Sequence, residues 1–501
     1  MIAPREMNDY SPKRRTALVF TGSGTSGAYH AGALKALDES GVKIDLIVGS
    51  GAGAVAAAYG AVAGGARLYD AGGFWPGAEW ESFYRLKTPL RLALLLLGVS
   101  FGVFLLPVAL ALVGGLLVPL VLIADLAVPG LSARLVGYLA AMPTVLRVPY
   151  LAALSVPIFV LSVLAILYVG ATYLRAPRRF AESFESLLDA RRARQRLARG
   201  LWEISRGSSA SARAPSDAEL GRRYVALAGE NLGQPGFREL ILRTADLETG
   251  TMLPFVILED AHRDAFTAAR TRGPRSRLAG IPGAIDLRAE GCDTLLLDAV
   301  LTGLQPPMVA PVQRVAFPKG GLYAGEVHRL TDAALAAGSG IAEALAAGAE
   351  QVIVVSAAPV VASPSARRRG PRALADAVLS TLERQIVDED VRAAERINRM
   401  VETLGHGTEG GGWAWQDPAT GRVYRDFALY VVRPERRPFG PLELEGAQDP
   451  ATEARATPAD LVDLGYRDAY RMFVEPVVGA APEPRRSPDM AREERAQTIE
   501  L

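Results

Sequence analysis

The sequence predicts an α/β domain with a mostly parallel central sheet, interrupted by a transmembrane helical insertion. Three observations carry this. A strand, a helix and a second strand follow one another within about 40 residues near the start, the pattern of a βαβ unit. Two long uncharged runs then break the domain. Beyond them strand patterns resume and recur through the rest of the chain.

The first strand is read at Thr16–Phe20 (TALVF) and ends in a turn, Gly22-Ser23-Gly24-Thr25-Ser26-Gly27. A helical stretch, AYHAGALKALDES, follows, with Gly41 at its C-terminal cap. The second strand, Lys43–Val48, runs into a second glycine turn, Gly49-Ser50-Gly51-Ala52-Gly53, and another small-residue helix.

Leu92–Ile123 spans 32 residues without a charge, and Val148–Leu174 is a second such run. A bilayer core of about 30 Å needs roughly 20 helical residues. As one helix the first run would reach roughly 48 Å, so it must tilt, protrude, or break near Pro107 or Gly114-Gly115. A buried core helix is the alternative, but such helices are seldom apolar on every face. Arg85, Lys87 and Arg91 precede the runs, and Arg175, Arg178 and Arg179 follow them. The positive-inside rule places both ends in the cytoplasm, so the number of crossings is even, with two the simplest count.

Strands return at ELILRTA, MLPFVILE and Glu350–Ser356, then a polar helix at Ala373–Val401 and a strand at Phe427–Val432. The organisation read from the sequence is therefore 1–85 for the first part of the α/β domain and 86–180 for the insertion, with helices at about 92–123 and 150–174. An arginine-rich helix and polar linker occupy 181–235, the second part of the domain 236–475, and a disordered tail 476–501. The first half alone is too short to close a core, so both halves are read as one sheet.

Half of the 501 residues are hydrophobic, high for a purely soluble protein. Lys plus Arg (55) balance Asp plus Glu (54), which gives no electrostatic case for nucleic acid. A single cysteine, Cys292, excludes an intrachain disulfide, and the four histidines (His30, His262, His328, His406) are too scattered for a histidine-rich metal site. No cofactor or metal is expected. The N-terminus shows no apolar signal region, so no secretory signal peptide is read there. His30 is expected to be a partly buried packing residue or a surface one. Two arginine clusters, Arg191–Arg199 and Ala366–Arg372, are read as solvated faces, or, for the second, as a surface for anionic lipid heads.

Taken alone, Gly22-x-Gly24-x-x-Gly27 after a strand fits a dinucleotide-binding turn, with Asp45 as the ribose ligand. Asp45, however, falls inside the second strand rather than at its end, and the second glycine turn is left unexplained. A purely structural role for both turns is a further reading.

Together the two turns resemble the patatin-like phospholipase family. LVFTGSGTSGAYHAGALKAL stands where that family has its Gly-Gly-Gly-x-Arg-Gly oxyanion loop, and IDLIVGSGAGAV where it has a Gly-x-Ser-x-Gly nucleophile elbow. LTDAALAAGSGIAEALAAGAEQVIVVS matches the segment that opens with the dyad aspartate, here Asp332. TADLETGTMLPFVI, DAVLTGLQPPMVAPV, DFALYVVRP and DLVDLGYRDAY resemble further family segments. The resemblance implies a three-layer sandwich and a lipid acyl hydrolase with a Ser–Asp dyad, no cofactor, and phospholipid as substrate.

The departures concern the chemistry. Aligned to the family, Gly51 takes the nucleophile position, and Ser50 stands one residue early, where an elbow would aim it elsewhere. Ser23 and Ser26 replace a glycine and the arginine of the oxyanion loop, whose backbone N–H groups at Gly22, Gly24 and Thr25 remain available as donors. Ala333 and Ala334 replace the glycines after Asp332, and Gly338 stands in place of asparagine. Loss of a catalytic serine costs on the order of a million-fold in kcat in a serine protease. The expectation is therefore an integral membrane protein, in a bacterial inner membrane with the α/β domain cytoplasmic, that has lost ordinary hydrolase activity and binds membrane phospholipids. No protein partner is legible. The alternatives are a hydrolase using a displaced serine (Ser50, or Ser23 or Ser26 approaching Asp332), and a nucleotide-binding membrane protein. Asp332 can also be read as a helix cap or a solvated loop residue.

Overall fold

The computed structural model describes residues 10–478, except 71, 80–82, 127, 135, 138–154, 165–185, 187, 207–214, 268–282, 307–309, 320–322, 335–337, 362–370, 409–411, 419–422, 439, 444–445 and 449–454. It divides into two compact units, Met1–Tyr84 with Ala190–Leu501, and Arg85–Asp189.

In the first unit, β1 (Thr16–Gly22) leads through the first glycine turn to α1 (Ser26–Glu39), and β2 (Leu46–Gly51) leads through the second to α2 (Gly53–Gly60). Gly41 follows α1 with φ +65°, the left-handed conformation expected of a residue that closes a helix. Both strands end later than the sequence reading, β1 at Gly22 and β2, which starts only at Leu46, at Gly51, so each turn begins while its strand is still paired. β3 (Glu239–Asp246) lies parallel to β2, and β4 (Thr251–Ile257) folds back antiparallel on β3. With the short β5 (Ile285–Asp286), the hairpin of β6 (Gln313–Ala316) and β7 (Val327–Asp332), β8 (Gln351–Ser356) and β9 (Ala428–Val432), these form one sheet, ordered β9-β8-β1-β2-β3-β4-β5. The four strands from β9 to β2 are parallel, as is β3, whereas β4 and the β6–β7 hairpin make the sheet mixed.

Helices cover both faces. Alternation along each strand sends Ala17, Val19, Leu46, Val48, Val352 and Val354 to one face, against Ile341 and Ala344 of α7 (Ile341–Ala346) and Ala394 of α8 (Pro371–Leu404). The opposite face packs on α1 and α2, Phe20 meeting the His30 ring. Each fully buried valine there contributes on the order of 1.5–3 kcal/mol. α9 (Pro458–Ala469), opened by a capping box of Thr457 and Asp460, closes the layer over α1.

His30 is not at the surface. It is wholly buried, with Nε2 3.0 Å from the Thr21 carbonyl, and burial pushes its pKa down to about 3. The first arginine cluster is also less of a free surface than expected. In the amphipathic helix Arg191–Ser205, Arg194 pairs with Asp217 and Asp298, and Arg196 lies over the rings of Phe74 and Phe83. The second cluster lies outside the described residues up to 370, as does the tail beyond 478.

The second unit holds one helix of 38 residues, Thr88–Asp125, unbroken at Pro107 and at Gly114-Gly115. Most described leucines along it, and Ile123, are exposed, Leu116 at 77% and Ile123 at 67%. Many of its side chains lie outside the described residues, and among the described residues no helix is long and apolar enough to cross a membrane. Of the second apolar run, 155–164 is helical and the remainder lies outside the described residues.

A Cβ at Gly53 would stand 2.4 Å from the Phe20 carbonyl oxygen, because α2 leaves β2 with its backbone against β1. Gly53→Ala is expected to lower stability by about 1–3 kcal/mol, read as a shift of the denaturation midpoint at unchanged slope.

Candidate functional site

The carboxyl ends of β1 and β2 deliver the two glycine turns side by side, with Gly22 opposite Gly51 in the register. β7 arrives from the other direction. β2 pairs with β3 as far as Ser50↔Arg243, and the next residue of β3, Thr244, pairs with Asp332 at the end of β7. Two strands thus meet end to end along β3, and that meeting brings Asp332 to the second turn.

Gly51 has φ +61°, a left-handed conformation that L side chains rarely adopt. A Cβ on it would point at the aspartate, 2.7 Å from Asp332 Oδ1, and also 2.7 Å from Ala334 Cβ and 2.5 Å from the Gly22 carbonyl oxygen. The surroundings have closed over the missing side chain.

Ser50 is sent to the opposite face, that of Leu46 and Val48. Its Oγ accepts from Arg243 Nη1 at 2.8 Å and donates to the Ser339 carbonyl at 3.3 Å. Arg243 also pairs with Glu343 at 2.8 Å, both side chains being almost wholly buried. Ser50 serves this buried ion pair and does not meet Asp332.

The serine that does meet it is Ser23. Its Oγ donates to Asp332 Oδ2 at 2.5 Å, while the Ala334 N–H donates to Oδ1 at 2.7 Å. Asp332 is 1% exposed, so it is not a solvated loop residue. Burial raises its pKa to about 7 against the pull of these two hydrogen bonds, and the Glu383 charge adds to the rise. Ser26 Oγ is also buried, and among the described residues it has no hydrogen-bond partner, the aspartate included.

Two backbone donors of the first turn are already in use. The Ser23 N–H donates to Glu383 Oε1 at 2.6 Å, and the Thr25 N–H to the Pro441 carbonyl at 2.9 Å. This corrects the expectation of a free donor at Thr25. A strap, Arg437–Pro438 and Gly440–Glu443, lies directly on the loop. Arg437 donates to Thr25 Oγ1, which donates to the Gly440 carbonyl at 3.0 Å, and the Leu442 N–H donates to Asp376 Oδ1 at 2.8 Å. A Cβ at Gly24 would stand 1.9 Å from Pro441 O, so glycine is required there by the close approach. Arg437 Nη1 faces Glu383 Oε2 at 3.7 Å in full burial. α1 has no acidic residue in its first turn, and Glu383 supplies the negative charge that its N-terminus favours.

Glu383, Asp376 and Arg437 were absent from the sequence reading. Glu383 sits in a helix with a polar pattern, and nothing local ties it to a loop 360 residues away. Arg243, a charge within a strand buried along its whole length, did carry a legible signal. Asp45 just precedes β2, at the amino end of the sheet, where it accepts from the Thr16 N–H at 2.9 Å. It is thus at the wrong end to hold a ribose for the first turn. Among the described residues, Glu239, Glu259 and His262 offer atoms within 4.8 Å of one another, as a metal site would. Glu239 is already engaged by Arg15, His262 and the Glu259 N–H, which makes it a structural bridge.

The family model described as patatin-like phospholipase matches residues 18–112, the stretch that contains both glycine turns. The stretch that holds the opening βαβ unit is thus similar to the patatin-like phospholipase family. No curated protein matches the chain. Among solved structures, VipD from Legionella pneumophila is similar at 10% identity over 92% of this chain and 67% of its own, with a TM-score of 0.31, too low to carry an argument.

Asp332 has a folded pKa above its ordinary value of 3.8, so its contribution favours folding fully below about pH 4 and is lost as pH rises through about 7. Asp332→Asn is expected to remove that decline, raising Tm relative to wild type at pH 8 more than at pH 5.

Proposed function

We propose that this chain is a membrane-associated member of the patatin-like phospholipase family that binds lipid and has lost the ordinary Ser–Asp acyl-transfer chemistry. The observation that carries this reading is the turn at Gly51: it has the left-handed backbone of an elbow and aims at Asp332, but offers no side chain. Neighbouring Ser50 is held by Arg243 on the other face and cannot substitute. Two of the loop's backbone donors, the Ser23 and Thr25 N–H groups, are occupied by Glu383 and Pro441. The matched segment supports the family assignment of the whole chain. The exposed apolar side chains of the 38-residue helix support insertion of 86–180 into a bacterial inner membrane, with the α/β domain on the cytoplasmic side.

The 2.5 Å contact of Ser23 with Asp332 favours a second reading, a lipid acyl hydrolase with a displaced nucleophile. Ser23 Oγ would attack the acyl carbonyl while Asp332, ionised above about pH 7, took its proton. That chemistry requires the strap to leave the loop, since Ser23 is fully buried.

Labelling of the purified chain with a fluorophosphonate, beside a phospholipid-hydrolysis assay, separates the two. Binding without catalysis predicts neither labelling nor fatty-acid release. Labelling that is lost in Ser23→Ala and kept in Ser50→Ala establishes the displaced nucleophile and ends the first reading. Gly51→Ser is expected to destabilise the fold by about 1–3 kcal/mol without restoring activity, since the added Cβ meets three atoms below contact distance. For the membrane, the chain is expected to stay with the pellet after carbonate extraction; release into the wash would remove the insertion from the proposal.

A further inference from the structure

An open cavity of about 510 Å³ lies outside the glycine-loop cluster, lined by Glu435, Arg436, Leu464, Arg467, Asp468 and Arg471. Arg467 and Arg471 are one helical turn apart, at the end of α9 and in the π-helical turn Tyr470–Val478 that continues it. Arg436 comes from the segment after β9, so two elements converge on one concavity.

Three guanidinium groups around one opening repel each other unless carboxylates neutralise them. Two carboxylates, Glu435 and Asp468, line the cavity with them, so the neutralisation is partial. Asp468 accepts from the Tyr29 hydroxyl at 3.1 Å and pairs with Arg471 at 3.4 Å. Burial raises the Asp468 pKa, and the Tyr29 hydrogen bond and the Arg471 and Arg467 charges oppose that rise. Among the described residues Arg436 and Arg467 have no carboxylate within ion-pair distance. Guanidinium forks match the oxygens of a phosphate in pairs, and Leu464 adds an apolar wall.

The cavity also adjoins the candidate site. Arg437, next to Arg436, donates to Thr25 in the first glycine turn. Tyr29, in the first turn of α1, donates to Asp468. A phosphate held here would stand beside the loop that faces an acyl group in the family's lipid chemistry.

We propose that the cavity lined by Arg436, Arg467 and Arg471 binds a phosphate group, either the headgroup phosphate of an anionic glycerophospholipid or the same ester free in solution. This deepens the lipid-binding reading above and rests on it.

Calorimetric titration of the detergent-solubilised full chain tests it, with glycerol 3-phosphate and short-chain phosphatidylglycerol as probes. At least one probe is expected to bind, and Arg436→Gln/Arg467→Gln to weaken it about tenfold or more. That double variant leaves the Arg471–Asp468 pair intact, and an unchanged Tm shows that the fold has survived. Loss of both probes together identifies the phosphate itself as the ligand. Binding of phosphatidylglycerol alone, lost in the variant, identifies the lipid, and binding of glycerol 3-phosphate alone identifies a free ester. No binding of either probe, or equal binding by the variant, overturns the proposal. Retention in carbonate-washed membranes alongside that negative result leaves the membrane reading standing and removes only this cavity from it.

Discussion

The end-to-end meeting of β2 and β7 along β3 is the constraint on which the candidate site depends. A strand can pair over only part of its neighbour's length, and β3 is shared between a parallel partner and an antiparallel one. Where the first stops, the second delivers Asp332. Had β7 run past the end of β2, the aspartate would have been carried away from the turns. The antiparallel arrival of β7 at the end of the parallel β2 is therefore what assembles a site at the sheet's carboxyl edge.

Burial then governs the chemistry of what has been assembled. Asp332, Glu383 and Asp376 are three carboxylates within one region that holds one buried guanidinium, Arg437. Full ionisation of all three would leave unbalanced negative charge in a poorly solvated interior, which is costly. The raised pKa values of Asp332 and Glu383 express that cost, with burial the largest cause in each. The strap adds a steric condition to the electrostatic one, since it takes up Thr25 with a carbonyl and a guanidinium at once. A hydroxyl next to a half-ionised carboxylate is chemically interesting, but in this closed arrangement its proton goes to Asp332 and no acyl group can approach.

Much of the architecture was legible because it is local. Strand, glycine turn and helix succeed one another within a few tens of residues, and each strand's apolar run is nearly continuous, as burial on both faces requires. The displacement of Ser50 was also legible, since a one-residue shift in a strand changes the face. Three expectations failed for a shared reason. His30 was placed near the surface, Thr25 was left with a free donor, and the first arginine cluster was read as a free face. Each is decided by a partner distant in sequence: the sheet around Thr21 and Phe20, the Pro441 carbonyl, and the rings of Phe74 and Phe83.

The sequence by itself determined that the second turn has no hydroxyl at Gly51, that Ser50 faces away from it, and that two long uncharged runs interrupt the domain. These follow from side-chain identity and from backbone periodicity, which need no knowledge of the fold. Only the tertiary structure decided that Ser23 is the serine that meets Asp332, 309 residues away, and that Glu383 and the strap cover the loop. Such contacts depend on where strands end and on which helix crosses above them, and those positions are set by packing of the whole sheet rather than by any local pattern.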